Sequence, residues 1–486
     1  MFERGITTLK QGRILGERLE DGIMAFKGIP YAKPPIGALR WKLAEAPLPW
    51  EGVLDCRDYR PSFTQVTLQE GSFYQKEFYP FNRPMSEDGL SLNVWTPAKA
   101  EEEKLPIYIW IHGGGFVEGS GAALQFIGNR LAQKGLVVVT INYRLGALGF
   151  MGHPELTAEA GASGNYAFSD MIQAIRFVKE NAKGFGGDPE NITIDGQSAG
   201  SMAVLSLVAS AKAKGLFQKA MAQSGGVLGR EVKTLKDLEA QGIELQKALG
   251  AKSIAEMRLI PDQEILAVSK KLGLVFRPGI DGLLLDRPHF EIYEAGLQNP
   301  VDLIVGSNAA EGAMAQAQAG DLEAHQKAAK AYGAEEAEFL RLFPAKSDEE
   351  ACRAGDLFRS AKTFAGMEQI AALQKKLGKK AFLYCFEQES PNEDGSVIGA
   401  FHSSELVFQF GTLYTSTFRP WREEDHALSG KHMAYIAAFC KSGSPNAEGL
   451  PLWEEYDGEH CMRIGPKLGM SEKPFGEALS FAKSHP

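Results

Sequence analysis

The chain is poor in the features that would assign it at a glance. Its five cysteines, Cys56, Cys352, Cys385, Cys440 and Cys461, are odd in number, scattered and free of C-x-x-C spacing. That pattern argues against a disulfide framework and against a zinc site. There is no basic cluster or arginine-rich stripe, and the net charge is −9. Nucleic acid and anionic membrane are therefore not expected partners. No apolar run reaches membrane-spanning length, and Met1 to Lys10 contains no stretch of signal-peptide length. These absences predict a cytoplasmic protein without a membrane partner. Repeats and low-complexity tracts are missing as well. The residues do not fix an oligomeric state; a monomer is the expectation and a homodimer the alternative.

What is present begins with 44% apolar content across 486 residues, enough for a large core. A β-branched run, Ile192-Thr193-Ile194-Asp195, breaks into Gly196-Gln197-Ser198-Ala199-Gly200 and then into a helix-like segment ending near Ser210. A serine hydroxyl attacks only when a base is within reach and the backbone thrusts its Oγ outward. A sharp strand-to-helix turn does this, and it leaves no room for a Cβ two residues before or after the serine, where Gly196 and Gly200 stand. With 53 glycines in the chain, the motif alone could be chance. A second stretch supports it: Ile107-Tyr108-Ile109-Trp110-Ile111 runs into His112-Gly113-Gly114-Gly115-Phe116. The N–H groups of Gly114 and Gly115, with that of Ala199, can converge on a tetrahedral oxyanion, each donor lowering the barrier by about 3–4 kcal/mol. A phosphate-binding loop is the alternative, but it would need G-K-[ST] or G-x-G-x-x-G, and Gly115-Phe116-Val117-Glu118 supplies neither.

From 107 to 225, strands and helices alternate: Ile107–Ile111, Leu136–Asn142, a helix over Met171–Asn181, Ile192–Asp195, a helix to Ser210, then Lys219–Gln223. Continuous apolar strands alternating with helices predict a mostly parallel sheet buried on both faces. Ligands in such sheets lie beyond the carboxyl ends of the strands, where both glycine motifs fall. Residues 226–300 and 313–380 interrupt the alternation and are rich in Ala, Glu, Lys and Leu at helical spacing. They are expected to be helical insertions over the site within a single domain, 1–486. The strand Ala381–Phe386 resumes the sheet, and Ala427–Cys440 reads as a closing helix. From its residues the aromatic stretch Phe73–Phe81 reads as a hydrophobic loop packed on the domain.

Six blocks in order resemble the type-B carboxylesterases of the α/β-hydrolase fold, and among them the bacterial para-nitrobenzyl-esterase-like carboxylesterases. They are Phe26–Pro35, Ser86–Trp95, His112–Phe116, Asn142-Tyr143-Arg144, Phe185-Gly186-Gly187-Asp188-Pro189 and Gly196–Gly200. The resemblance implies a serine hydrolase of carboxylic esters with the chain order serine, acid, histidine. It implies structural ion pairs Arg40 with Glu87 and Arg144 with Asp170, and it places the aromatic stretch Phe73–Phe81 near the mouth of the substrate gorge, the alternative to a loop packed on the domain. Of nine histidines, His112 and His153 precede the serine. His402, in the loop after Ala381–Phe386, stands in Gly399-Ala400-Phe401-His402-Ser403-Ser404-Glu405-Leu406, which resembles the family's histidine block. For the acid, the residues alone leave Glu311 and Asp281 as equals. The family's N-x-x-E-G setting is matched by Asn308 to Gly312 and favours Glu311, with Ser224 as a hydrogen-bond partner of that acid. Secreted relatives carry a cysteine where this chain has Gly89, which fits a reducing compartment.

One position departs from many relatives: Gln197, not Glu, precedes the nucleophile. Cationic substrates such as choline esters lose an attraction there, so neutral esters with small to medium acyl groups are expected. Phe116, Phe276 and Phe410, with Gln197, are the candidate pocket walls, each Phe being equally able to pack in the core. No metal or cofactor is needed for this chemistry. Two alternatives are a shorter hormone-sensitive-lipase-like esterase and a catalytically inactive adhesion or binding homologue. The chain length, Glu311 and the additional blocks speak against the first, and the complete set of catalytic residues speaks against the second.

Overall fold

Apolar side chains alternate between two cores along the central strands. Ile107, Ile109 and Ile111 pack into one cluster, while Tyr108 and Trp110 pack into another on the opposite face. This period-two division is what a sheet covered on both sides requires. The computed structural model describes residues 2–78, 84–229, 231–313 and 321–485. Its main sheet has eleven strands. In chain order they are β1 (Glu17–Arg18), β2 (Met24–Pro30), β3 (Ser91–Thr96), β4 (Leu105–Ile111), β5 (Val137–Ile141) and β6 (Gly187–Gln197), followed by β7 (Lys219–Gln223), β8 (Asp302–Asn308), β9 (Ala381–Phe386), β10 (His460–Ile464) and β11 (Gly469–Glu472).

Their spatial order is β11-β10-β9-β8-β7-β6-β4-β5-β3-β2-β1. From β5 through β10 every neighbouring pair is parallel. β1, β2 and β3 meet their neighbours antiparallel, as does β11 at the far edge. The antiparallel start and parallel centre are those of an α/β hydrolase.

Helices needed below are α1 (Phe73–Phe78), α2 (Tyr166–Asn181), α3 (Ala199–Ala209), α4 (Asp348–Lys376) and α5 (Glu423–Ser442). The closing helix α5 starts earlier than the apolar pattern suggested, because Asp425 Oδ2 accepts the Arg422 N–H at 2.9 Å and caps its first turn. Residues 226–300 hold helices Leu235–Ala248, Ile254–Met257, Asp262–Lys271 and His289–Glu294, and 313–380 hold Leu322–Lys330, Glu336–Leu342 and α4. The aromatic stretch is helical over α1, with Glu77 buried and ion-paired to Arg419; its Tyr79 to Phe81 lie outside the described residues.

Both expected ion pairs form. Arg144 Nη2 meets Asp170 at 2.7 Å with both side chains buried. Arg40 Nε donates to Glu87 at 2.8 Å, and its Nη1 also donates to the carbonyl of Ile260 at 2.6 Å. Arg40 thereby pins the first insertion to the N-terminal segment.

Candidate active site

β6 ends at Gln197 and α3 begins at Ala199, so Ser198 makes the whole turn, with φ 59° and ψ −121°. A non-glycine residue held there costs about 1–3 kcal/mol and persists only where its surroundings impose it. The imposition is visible. A Cβ on Gly200 would lie 2.0 Å from the carbonyl oxygen of Ile111, and one on Gly196 would lie 2.5 Å from the carbonyl carbon of Gly200. The Ser198 N–H donates to the carbonyl of Gln223 on β7 at 2.8 Å. Strand, helix and neighbouring strand thus fix the serine, which is half-buried while Gln197 and Ala199 beside it are buried.

The loop after β4 crosses in front of this turn. Gly114 and Gly115 adopt φ of 106° and 62°, open to glycine and strained for other residues. A Cβ on Gly113 would sit 3.2 Å from Ser198 Cβ. Among the described residues, the N–H groups of Gly114, Gly115 and Ala199 donate no hydrogen bond within the chain. Three free amides beside one hydroxyl are the donors an oxyanion needs. His112 anchors the loop: its carbonyl accepts the Tyr143 hydroxyl at 2.7 Å, and its ring stacks on Tyr143 at 4.3 Å. Burial pushes the His112 pKa down to about 4, so this imidazole stays neutral.

His402 lies in the loop following β9, and its Nδ1 is 2.5 Å from Glu311 Oε2. Glu311 is buried just beyond the carboxyl end of β8, where Oε1 accepts the Asn308 N–H at 2.8 Å and its own N–H donates to Ser360 Oγ of α4 at 2.9 Å. Burial disfavours the charged imidazole, but the Glu311 carboxylate and then Glu405 outweigh it and raise the His402 pKa. Burial with Glu311 nearby pushes Glu405 itself up to about 7. Asp281 is engaged elsewhere. Its Oδ1 accepts the N–H groups of Leu283, Leu284 and Leu285 at 3.0, 2.9 and 2.9 Å, which closes its own loop.

Ser198 and His402 line one cavity of about 240 Å³, together with Gln197, Gly114 and Gly115. In this structure Ser198 Oγ makes no hydrogen bond to the ring; the Gln197 amide nitrogen is 3.2 Å from His402 Nε2. Tyr74 and Phe78 of α1, Phe126, Leu406 and Glu118 complete much of the wall. Tyr74 and Phe78 belong to the aromatic stretch expected at the mouth of the site, whereas Phe126, Leu406 and Glu118 are not expected as wall residues from sequence; a carboxylate so close behind the glycine loop is the available signal for Glu118.

Three pocket residues expected from sequence are elsewhere. Phe116 is buried against Phe150 and Phe168, Phe410 against Trp110 and Phe126, and Phe276 is buried in the larger core cluster. Their rings satisfy core packing and do not line the cavity. Ser224 is also corrected: among the described residues its Oγ is buried without a partner and does not reach Glu311. Of the described residues in 226–300 and 313–380, none lines this cavity; Gly226, Leu228, Arg359 and Lys362 line a separate cavity of about 840 Å³.

The carboxylesterase family profile matches residues 3–482. This chain belongs to the carboxylesterase family. It is 32% identical to fumonisin B1 esterase of Sphingopyxis macrogoltabida, covering 94% of this carboxylesterase and 86% of that protein. It is 33% identical to human cocaine esterase, covering 96% and 89% of the two chains. Among solved structures it resembles a PNB esterase with TM-score 0.85 and 28% identity, covering 98% of this chain and 99% of the other. Family and fold agree with the resemblance in the ordered motifs. The carboxylesterase is a serine hydrolase of carboxylic esters with the α/β-hydrolase fold, and among its described residues no helix is long and apolar enough to cross a membrane.

Proposed function

We propose that Ser198 is the nucleophile, His402 the general base and acid, Glu311 the carboxylate that orients the imidazole, and Gly114, Gly115 and Ala199 the oxyanion donors. The observation that carries this is the 2.5 Å contact between Glu311 and His402 at the wall of the cavity onto which Ser198 opens. His402 Nε2 takes the Ser198 proton as Oγ attacks the ester carbonyl, and Glu311 stabilises the imidazolium. The three amides hold the oxyanion, the alcohol leaves with the proton from His402, and water repeats the sequence on the acyl-enzyme. The Ser198 to His402 hydrogen bond forms as substrate fills the site, since catalytic contacts tighten on binding.

A cavity of about 240 Å³ suits neutral esters with small to medium acyl groups. The chain acts as one hydrolase domain. The insertions at 226–300 and 313–380 sit over the site, the second supporting it through the Ser360 contact to Glu311. A monomer in the cytoplasm is the working state, consistent with buried thiols at Cys56, Cys385, Cys440 and Cys461. Labelling with an organophosphate followed by peptide mass analysis tests the assignment. The adduct is expected on Ser198, and an adduct on another residue, or none in active protein, overturns it.

A further inference from the structure

Gln197 removes a charge from the position before the nucleophile, yet the cavity contains a carboxylate from a different loop. Glu118 lines it and is partly buried. Its backbone N–H donates to the Gly114 carbonyl at 3.1 Å, and a Cβ on Gly114 would lie 3.0 Å from Glu118 Cγ. The side chain therefore lies against the oxyanion loop. Among the described residues its carboxylate has no hydrogen-bond or ion-pair partner, and none of those lining the cavity is Lys or Arg. Three aromatic rings, Tyr74, Phe78 and Phe126, line the same space. A lone carboxylate among aromatic faces is the chemistry that recognises an ammonium group.

We propose that Glu118 is a specificity-determining residue, the counter-charge for esters that carry a cationic ammonium group within reach of the cavity. This rests on Ser198 hydrolysis as described above. The other titratable groups facing the cavity are Tyr74, His112 and His402, from α1, the glycine loop and the histidine loop. Burial alone pushes the Glu118 carboxyl up to about 7, with no charged neighbour acting on it. Below that pH Glu118 is uncharged, and the reactive form of the enzyme, with His402 neutral, treats neutral and cationic esters alike, as Gln197 suggests. Above it the carboxylate ionises and discriminates between them.

The test compares butyrylcholine with its uncharged isostere 3,3-dimethylbutyl butyrate, as a ratio of kcat/KM from pH 6 to pH 8.5. A ratio is required because a carboxylate beside the oxyanion loop slows both substrates alike. In the wild type the choline preference is expected to rise about fivefold or more across this range as ionisation proceeds. In Glu118→Gln the ratio is expected to be low and flat, and Glu118→Asp is expected to restore part of the rise. If the wild-type ratio is flat, or Glu118→Gln leaves its rise intact, the proposal fails. If either variant does not fold, the wild-type pH series decides alone. Absence of hydrolysis of the uncharged ester would instead sink the Ser198 assignment, so the two failures are distinct.

Discussion

Two neighbouring strand ends, β6 and β7, make the same backbone excursion with opposite consequences. In the parallel register Gln197 pairs with Gln223, which sets Ser198 level with Ser224. Both serines have left-handed φ, 59° and 55°, and each N–H donates to the next strand at 2.8 Å. At Ser198 the chain enters α3 at once, and glycines two residues to either side are sterically required. At Ser224 the residue two before is Ala222, and a Cβ on Gly226, two after, would meet nothing nearer than 3.5 Å. A strained serine at a strand end is thus shared by the proposed nucleophile and by a serine with no such role proposed. The helix folding back on its strand turns the hydroxyl into the cavity, and the glycine loop and imidazole give it something to do.

Substituting the two serines is the strongest test of that contrast. Ser198→Ala is expected to lower turnover of para-nitrophenyl butyrate on the order of 10⁴-fold or more while the melting temperature stays near wild type. Ser224→Ala removes a hydroxyl that has no partner among the described residues and is expected to change stability by about 1 kcal/mol or less and to leave turnover within a small factor. A severe activity loss in Ser224→Ala would erase the distinction. Next in size is the acid. Glu311→Gln is expected to lower kcat about 10²- to 10⁴-fold without unfolding the protein. Asp281→Asn is expected to act on thermal stability instead, through the loop amides it holds.

The glycines sharpen the comparison through stability. Gly200→Ala forces a Cβ into the Ile111 carbonyl and is expected to cost more than about 3 kcal/mol in urea unfolding, whereas Gly226→Ala costs under about 1 kcal/mol. Equal costs would show that the β6 turn is no tighter than the β7 turn. The smallest effect is in the pH profile. Because Glu311 raises the His402 pKa, the imidazole keeps its proton to higher pH. The acid limb of kcat/KM is expected above the ordinary imidazole value of about 6.5. In Glu311→Gln any residual activity should show that limb moved down.

The central strands were legible because β-branched runs such as Ile192 to Ile194 have few other uses, and the parallel sheet follows from their alternation with helices. The serine turn and the glycine loop were legible because steric exclusion of Cβ leaves a mark in the residues themselves. The cavity wall was not. Phe116, Phe276 and Phe410 are apolar and large, and their placement depends on neighbours distant in sequence, so each was as ready to pack in the core, where all three are found. Glu118 escaped notice for the converse reason: an acidic residue in a loop ordinarily faces solvent, and only the fold shows it turned against Gly114. The distinction between Glu311 and Asp281 was open to the residues alone; in the structure three backbone amides occupy Asp281.

Glu311 is held from above as well as from within the sheet: its N–H rests on Ser360, and the Gly312 N–H rests on Asp356 Oδ1 at 2.5 Å. These two side chains are one turn apart on the same helix, so α4 grips the peptide of the proposed acid at adjacent points. Replacing the second insertion by that of a relative would therefore disturb proton transfer as well as substrate fit, unless the graft brought a hydroxyl and a carboxylate at the same spacing. Sequence drift in that outer helix is tethered, at two positions, to chemistry it never touches.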